Sequence, residues 1–262
     1  MKPVYFRLLF LAAILSLACT TKVSEWVLLN ASPEHYTLVY FHNTPVNETI
    51  RMQNANIGKE IKSANIQFRS LEKKDIERPY YALYYENRLF ARYDDYKGLR
   101  GLTSSPLREK IASQILSGRL CVLLYLKTDT REKDEKGLQV LNKALGSSPY
   151  KDIITVIELS KNDIAESHFI SLLLNVEDDL KAIREPMLFG IFGRFKALEP
   201  LLGKGITEEN INLMIDFLTA DCSCLIQDNL PGTDILFTNM WDNPATALVN
   251  KILDDNPSLL HH

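Results

Sequence analysis

Cys222-Ser-Cys224 is the one close thiol pair in a chain whose other cysteines are Cys19 and Cys121. Two neighbouring thiols can cycle between dithiol and disulfide, since a thiolate attacks the adjacent sulfur once its proton is drawn off. They can also hold soft Cu(I) through two thiolates. An oxidising compartment would instead keep them as a small closed ring ending the preceding helix, and a pair of free thiols is the third state. Positions i and i+2 do not share a helix face, so the pair must sit at or beyond a helix end. A zinc site is not expected, because no paired His or Cys stands at suitable spacing. Cys121, inside the apolar run Cys121-Val-Leu-Leu-Tyr-Leu126, reads as a small core residue.

Little else in the chain has the spacing of a reactive group. His42 ends an apolar strand, where it either contacts a ligand or is held by the loop. His168 has no partner nearby in sequence, and His261-His262 is terminal. There is no serine on a nucleophile elbow, no phosphate-binding glycine loop and no paired metal carboxylates. Asp94-Asp95 and Glu177-Asp178-Asp179 read as solvated faces. No catalytic residue is nominated and no cofactor is expected, Cu(I) entering only if Cys222 and Cys224 act. A formal net charge of −3 gives no basic field for nucleic acid.

The first residues carry an address. Lys2 and Arg7 form a basic start, Leu8 to Leu17 is an apolar run of signal-peptide length, and Ser16-Leu17-Ala18-Cys19-Thr20 ends it. That ending resembles a bacterial lipobox, although Ser16 stands where leucine is usual. The resemblance implies removal of residues 1–18, diacylglycerol on the Cys19 sulfur and acylation of the new amino terminus. The membrane would then be a partner through an N-terminal lipid, because two or three acyl chains anchor a protein stably. The expected place is the bacterial cell envelope, outside the cytoplasm. An ordinary cleaved signal is the competing reading.

Beyond the leader, one order of elements is written twice. Trp26 to Leu29 is an expected edge strand, followed by a strand from Leu38 to His42. Asn47 is placed to cap a helix from Glu48 to Ile61, and Ile66 and Phe68 alternate with polar neighbours as in a half-buried strand. Arg78-Pro79-Tyr-Tyr-Ala-Leu-Tyr-Tyr85 then turns at Glu86-Asn87-Arg88 into Leu89 to Tyr93. Ser105-Pro106 opens a helix with Ser as N-cap and Pro at the first helical position; Leu107, Ile111, Ile115 and Leu116 mark its buried face, and Gly118 ends it. From Cys121 the order recurs: an apolar strand to Leu126, a helix from Lys133 to Leu145, a β-branched strand from Ile153 to Leu159 and a helical insertion over 162–184. Pro186 to Phe192 and Phe195 to Leu198 form a hairpin around Gly193-Arg194. Thr207 then caps a final helix, and a strand follows at Asp234 to Phe237.

A proline opening an apolar strand, a hairpin carrying an Arg and a capped helix resemble the C-terminal half of a thioredoxin-like domain. The resemblance implies an α/β fold of two tandem thioredoxin-like domains, with mixed central sheets flanked by helices, at 19–118 and 119–240, and a tail over 241–262. The thioredoxin Cys-x-x-Cys has no match: His42-Asn43-Thr44-Pro45 and Lys127-Thr128-Asp129-Thr130 stand in its place. In such domains the prolines matching Pro79 and Pro186 are commonly cis and lie beside a groove for an extended peptide. The expected binding surface is therefore His42, Pro79, Tyr80 and Pro186. Tyr80, Tyr81, Tyr84, Tyr85 and Tyr93 crowd one hairpin, and alternation sends them to both faces of its sheet, some to the core and others free for a partner.

Three stretches, Ser105 through Leu124, Phe192 through Ile206 and Cys222 through Asp234, also resemble a group of bacterial envelope lipoproteins. No activity is established for that group, so it implies fold and envelope context only. The expectation is a redox-silent binding or scaffold module with a protein or peptide partner. The contrasting expectation is a thiol–disulfide oxidoreductase or copper-binding protein using Cys222 and Cys224.

Overall fold

The computed structural model describes residues 21–30, 32, 34–238 and 246–255. The leader, Cys19 and His261-His262 lie outside them. Two mixed sheets carry the fold. The first joins β1 (Tyr36–His42), β2 (Ile66–Glu72), β3 (Tyr80–Tyr85) and β4 (Arg88–Tyr93) in the order β2-β1-β3-β4. The second joins β5 (Cys121–Lys127), β6 (Ile154–Ser160), β7 (Met187–Phe192), β8 (Lys196–Ala197), β9 (Leu201–Leu202) and β10 (Thr233–Asp234). Its order is β10-β8-β7-β5-β6, with β9 beside β7.

The two central strands are equivalent residue by residue. β1 runs parallel to β2 and antiparallel to β3, with Tyr36 opposite Ile66 and Tyr85. β5 runs parallel to β6 and antiparallel to β7, with Cys121 opposite Ile154 and Phe192. Parallel neighbours need a crossover, and helices supply both: α2 (Glu48–Glu60) and α4 (Arg131–Ser147). Asn47 caps α2 as its sequence promised, accepting from the Ile50 N–H at 2.9 Å. α4 lies close on its sheet at Gly137, where a Cβ would stand 2.1 Å from the Tyr125 hydroxyl. That hydroxyl donates to the Asp134 carbonyl at 3.0 Å.

Several local expectations give way to tertiary structure. Trp26 to Leu29 belongs to a helix, α1 (Val23–Asn30), not to an edge strand. Val23 and Val27, one helical turn apart, are buried with the second sheet, so the period of burial is helical rather than alternating. No peptide bond among the described residues is cis, so Pro79 and Pro186 both follow trans bonds. The tertiary amide favours trans by about 0.5–1 kcal/mol unless packing overrides it. Pro106 does open α3 (Pro106–Leu116), but the Ser105 side chain makes no cap bond and its hydroxyl donates to Glu166 instead. The insertion holds only a short helix, α5 (Ser167–Leu173), among 3₁₀ turns. Beyond β8 the pairing resumes at β9, and the strand expected to reach Phe237 is a ladder only at Thr233 and Asp234. Thr207 caps α6 (Glu208–Thr219) by accepting from the Asn210 N–H at 3.2 Å.

The halves are stitched together in three dimensions. One core gathers Tyr36, Leu38, Tyr81 and Leu83 of the first sheet with Val122, Leu124, Phe189 and Ile191 of the second. The other fills the opposite face of the second sheet, where Cys121, Leu123 and Tyr125 meet α4, α6 and α1. Ile235, Leu236 and Phe237 run fully buried between the sheets. Their backbone bonds reach both sides: Ile235 N–H to Phe195 O at 3.0 Å and Phe237 N–H to Asn65 Oδ1 at 3.0 Å. Each hairpin arginine grips the other half. Arg194 donates to Leu28 O at 2.7 Å, at the C-terminus of α1, and Arg88 donates to Asn175 O at 3.2 Å. Gly193 makes room for α1, since a Cβ there would lie 2.3 Å from Val27.

Candidate functional site

Register places His42 and Lys127 at the same point, the end of the central strand where the resemblance would put a thiol loop. A cleft of about 650 Å³ opens beside the first, lined by His42, Thr44, Pro45, Arg78, Pro79 and Tyr81 among others. A cleft of about 700 Å³ opens beside the second, between the start of α4, Glu185-Pro186 and Gly203 to Glu208. Among the described residues, no cysteine lines either cleft.

The first cleft is built by alternation along β1 and β3. Tyr40 and Tyr81 meet with ring centroids 4.7 Å apart, and His42 stacks on Tyr40 at 5.7 Å. The His42 Nδ1 lies 2.9 Å from the Thr44 carbonyl, which fixes the ring. Tyr81 donates to Asn54 Oδ1 at 3.1 Å. Burial pushes both phenols up, so these walls stay neutral. Charge sits at the mouth, where Arg78 and Asp94 approach to 3.9 Å and Asp95 caps a 3₁₀ turn through Gly98 N–H at 3.1 Å. Among the described residues, no backbone–backbone bond engages Glu77, Arg78 or Pro79.

The second cleft differs at that backbone. Leu201 and Leu202 pair with Leu188 and Met187, and the Gly203 N–H donates to the Pro186 carbonyl at 2.9 Å. The chain thus fills its own strand edge beside Pro186, which is itself buried. The loop before α4 is tied by Asp134, whose carboxylate accepts from Thr128 N–H at 2.9 Å and Asp129 N–H at 3.1 Å. Lys133 is paired with Glu185, and Lys143 with Glu208 at 2.5 Å. Loop and walls are committed to one another.

The sequence-expected residues are therefore divided. His42 and Pro79 share a cleft, Pro186 lies in the other, and Tyr80 faces the opposite side of the first sheet, its ring tilted against Phe41 with centroids 5.2 Å apart. Cys222 is buried against the second core, and its N–H donates to Thr21 O at 2.8 Å. Cys224 opens α7 (Cys224–Asp228) beyond the end of α6. Cys121 is fully buried, and burial pushes its thiol up to about 12. No group of three His, Cys, Asp or Glu side chains placed to hold a metal ion occurs among the described residues.

Two buried polar clusters were missed. Arg108 is fully buried and donates to Leu102 O at 2.8 Å, Leu236 O at 2.9 Å and Ser105 Oγ at 3.0 Å. Burial lowers its pKa to about 10, and the nearby Glu166 opposes that drop. Its spacing from Ile111 and Ile115 places it on the buried helix face, which is the signal that marks it. Lys196, Asp234 and Glu34 form the second cluster, with Lys196 Nζ 3.0 Å from Asp234 and 3.7 Å from Glu34. Burial first, then Asp234, raises the Glu34 pKa. Nothing local marks residues so distant in sequence as neighbours.

Strand order, mixed direction and paired register define a thioredoxin-like α/β fold, present twice. No family model and no curated protein matches the chain. Among solved structures, the first two thioredoxin domains of Naumovozyma dairenensis Eps1p align with 72% of this chain and 92% of that one. Identity is 13% and the TM-score 0.27, so the fold assignment rests on strand order and register.

Proposed function

We propose that the protein is a lipid-anchored bacterial envelope protein whose tandem thioredoxin-like units bind a protein or peptide partner and carry no thiol chemistry at the usual position. The observation that supports this is the first cleft. It has neutral aromatic walls, a fixed imidazole and charges at the mouth, and Arg78 and Pro79 make no backbone–backbone bond among the described residues, which leaves them for an extended segment to pair with. The second cleft has the same origin but is filled at that edge, so the binding role falls to the one beside Pro79.

The test is titration of the isotope-labelled full-length chain with a panel of extended peptides bearing one aromatic side chain. Amide shifts should centre on His42, Arg78 and Tyr81, and Tyr81→Ala should weaken binding about tenfold. Shifts confined to the Pro186 side, or none at all, would reject the assignment. The anchor is tested separately: Cys19→Ala should abolish acyl labelling and membrane retention. Intact-mass measurement with thiol alkylation, before and after mild reduction, addresses the competing reading. A reducible or copper-titratable Cys222–Cys224 pair would favour an oxidoreductase or copper-binding protein.

A further inference from the structure

The first sheet has a second face, which no element among the described residues covers. Strand alternation puts Tyr36, Leu38, Tyr40, Tyr81, Leu83 and Tyr85 on the core side. The residues between them belong to neither core: Phe41, Tyr80 and Tyr84 are half-buried, while Leu71 and Leu89 are 47% and 55% exposed. Val39 and Ala82 are buried on this face yet outside both cores, beneath the larger side chains around them.

Register identifies what is missing. The equivalent face of the second sheet carries Leu126, Met187 and Ile191, buried in the core that also holds residues of α3, α5 and the first sheet. The first sheet has no helix between β2 and β3, and α1 packs on the second sheet instead.

The bare face is also patterned. Phe41 and the two tyrosines occupy the central strands, with Arg69 on β2 at one edge and Arg92 on β4 at the other. Arg92 lies 3.8 Å over the Tyr80 ring, and Lys73 lies 5.7 Å from the Phe41 ring. Within the four strands the one carboxylate is Glu72, in register with His42 on the other face. Three strand spacings of about 4.8 Å separate the arginine-bearing strands by roughly 14 Å, against about 10–12 Å for a helix diameter.

We propose that this face docks an amphipathic helix of a partner protein, its apolar stripe laid over Phe41, Tyr80 and Tyr84 and its flanking carboxylates paired with Arg69 and Arg92. The partner helix would cover the face whose counterpart on the second sheet is buried in the shared core. This surface lies opposite the His42–Pro79 cleft, and its occupation does not depend on that cleft.

Two synthetic helical peptides test it, sharing one leucine stripe and differing in whether glutamate or lysine flanks the stripe. Titrated into the labelled full-length chain, the glutamate-flanked peptide should bind at least about tenfold more tightly, with a preference that fades in high salt. Its shifts should map to Phe41, Tyr80 and Tyr84 rather than to His42 and Tyr81. The double variant Arg69→Glu, Arg92→Glu should lose the preference while keeping its circular dichroism and melting temperature. If that variant does not fold, Tyr84→Ser, which keeps both arginines, should weaken both peptides alike. Equal binding of the two peptides overturns the proposal, as do shifts centred on the cleft. Tighter binding of oligothymidine or of phosphatidylglycerol vesicles at this face, or self-association through it, would also overturn it.

Discussion

Phe41 and Leu126 stand at the same register position, each one residue before the end of its central strand. Leu126 is buried in the shared core, whereas Phe41 is half-buried with its ring tilted against Tyr80. The two sheets have one topology and two fates. Among the described residues, the second is buried on both faces and carries no arginine there, whereas the first is buried on one and carries half-buried rings flanked by arginines on the other. A sheet face without a helix must satisfy water and still shield its backbone, and amphipathic side chains do both. The clefts repeat the contrast. Beside Pro186 the chain pairs with itself through β9, and beside Pro79 no such backbone pairing is made among the described residues. In both comparisons the second unit is closed by its own chain, and the first has more exposed surface among the described residues.

The largest expected effect tests that division. Phe189→Ala removes a fully buried ring from the covered face and should cost about 3–5 kcal/mol in urea unfolding. Tyr84→Ala on the bare face should cost about 1 kcal/mol or less. Comparable losses would mean that the first sheet also depends on packing there.

The hairpin arginines offer a finer contrast. Arg194 is part-buried and holds the C-terminus of α1, so Arg194→Ala should cost about 1–2 kcal/mol. Arg88→Ala, at an exposed contact with Asp178, should cost less than about 0.5 kcal/mol. A reversed order in chemical unfolding would show that the first hairpin carries the joint.

The smallest effect lies at the seam of the sheets. The Glu34 carboxyl faces Asp234, Lys196, Tyr85 and Glu86, and its folded-state pKa is raised, chiefly by burial. The folded protein therefore holds this proton more tightly than the unfolded chain. Its contribution is full below the ordinary value of 4.5 and is lost as pH rises through the folded value. Glu34→Gln should flatten the fall in unfolding midpoint above that pH, and identical pH profiles for variant and parent would exclude the linkage.

Much of the fold was legible because its signals are local. Asn47 and Thr207 cap the helices they were expected to cap, and the apolar run at Cys121 forms the central strand of the second sheet. Trp26 to Leu29 was misread because a short apolar stretch fits either period until its neighbour is known. Ser105 had the chemistry of a cap, yet Glu166 competes for its hydroxyl. The candidate site was half legible: His42 and Pro79 lie on elements whose order is repeated, but the face Tyr80 takes depends on strand alternation read against a known core.

By itself the sequence determined the repeated strand order, the helix ends and the absence of a Cys-x-x-Cys pair, since each follows from a few adjacent residues. Tertiary structure alone decided that both prolines are trans, that Arg108, Lys196 and Asp234 are buried among distant partners, and that β9 closes one strand edge. Among the described residues, it also left one sheet face of the first copy without a helix. Those outcomes depend on which surfaces meet, and burial free energy is a property of the assembled pair of surfaces rather than of either segment.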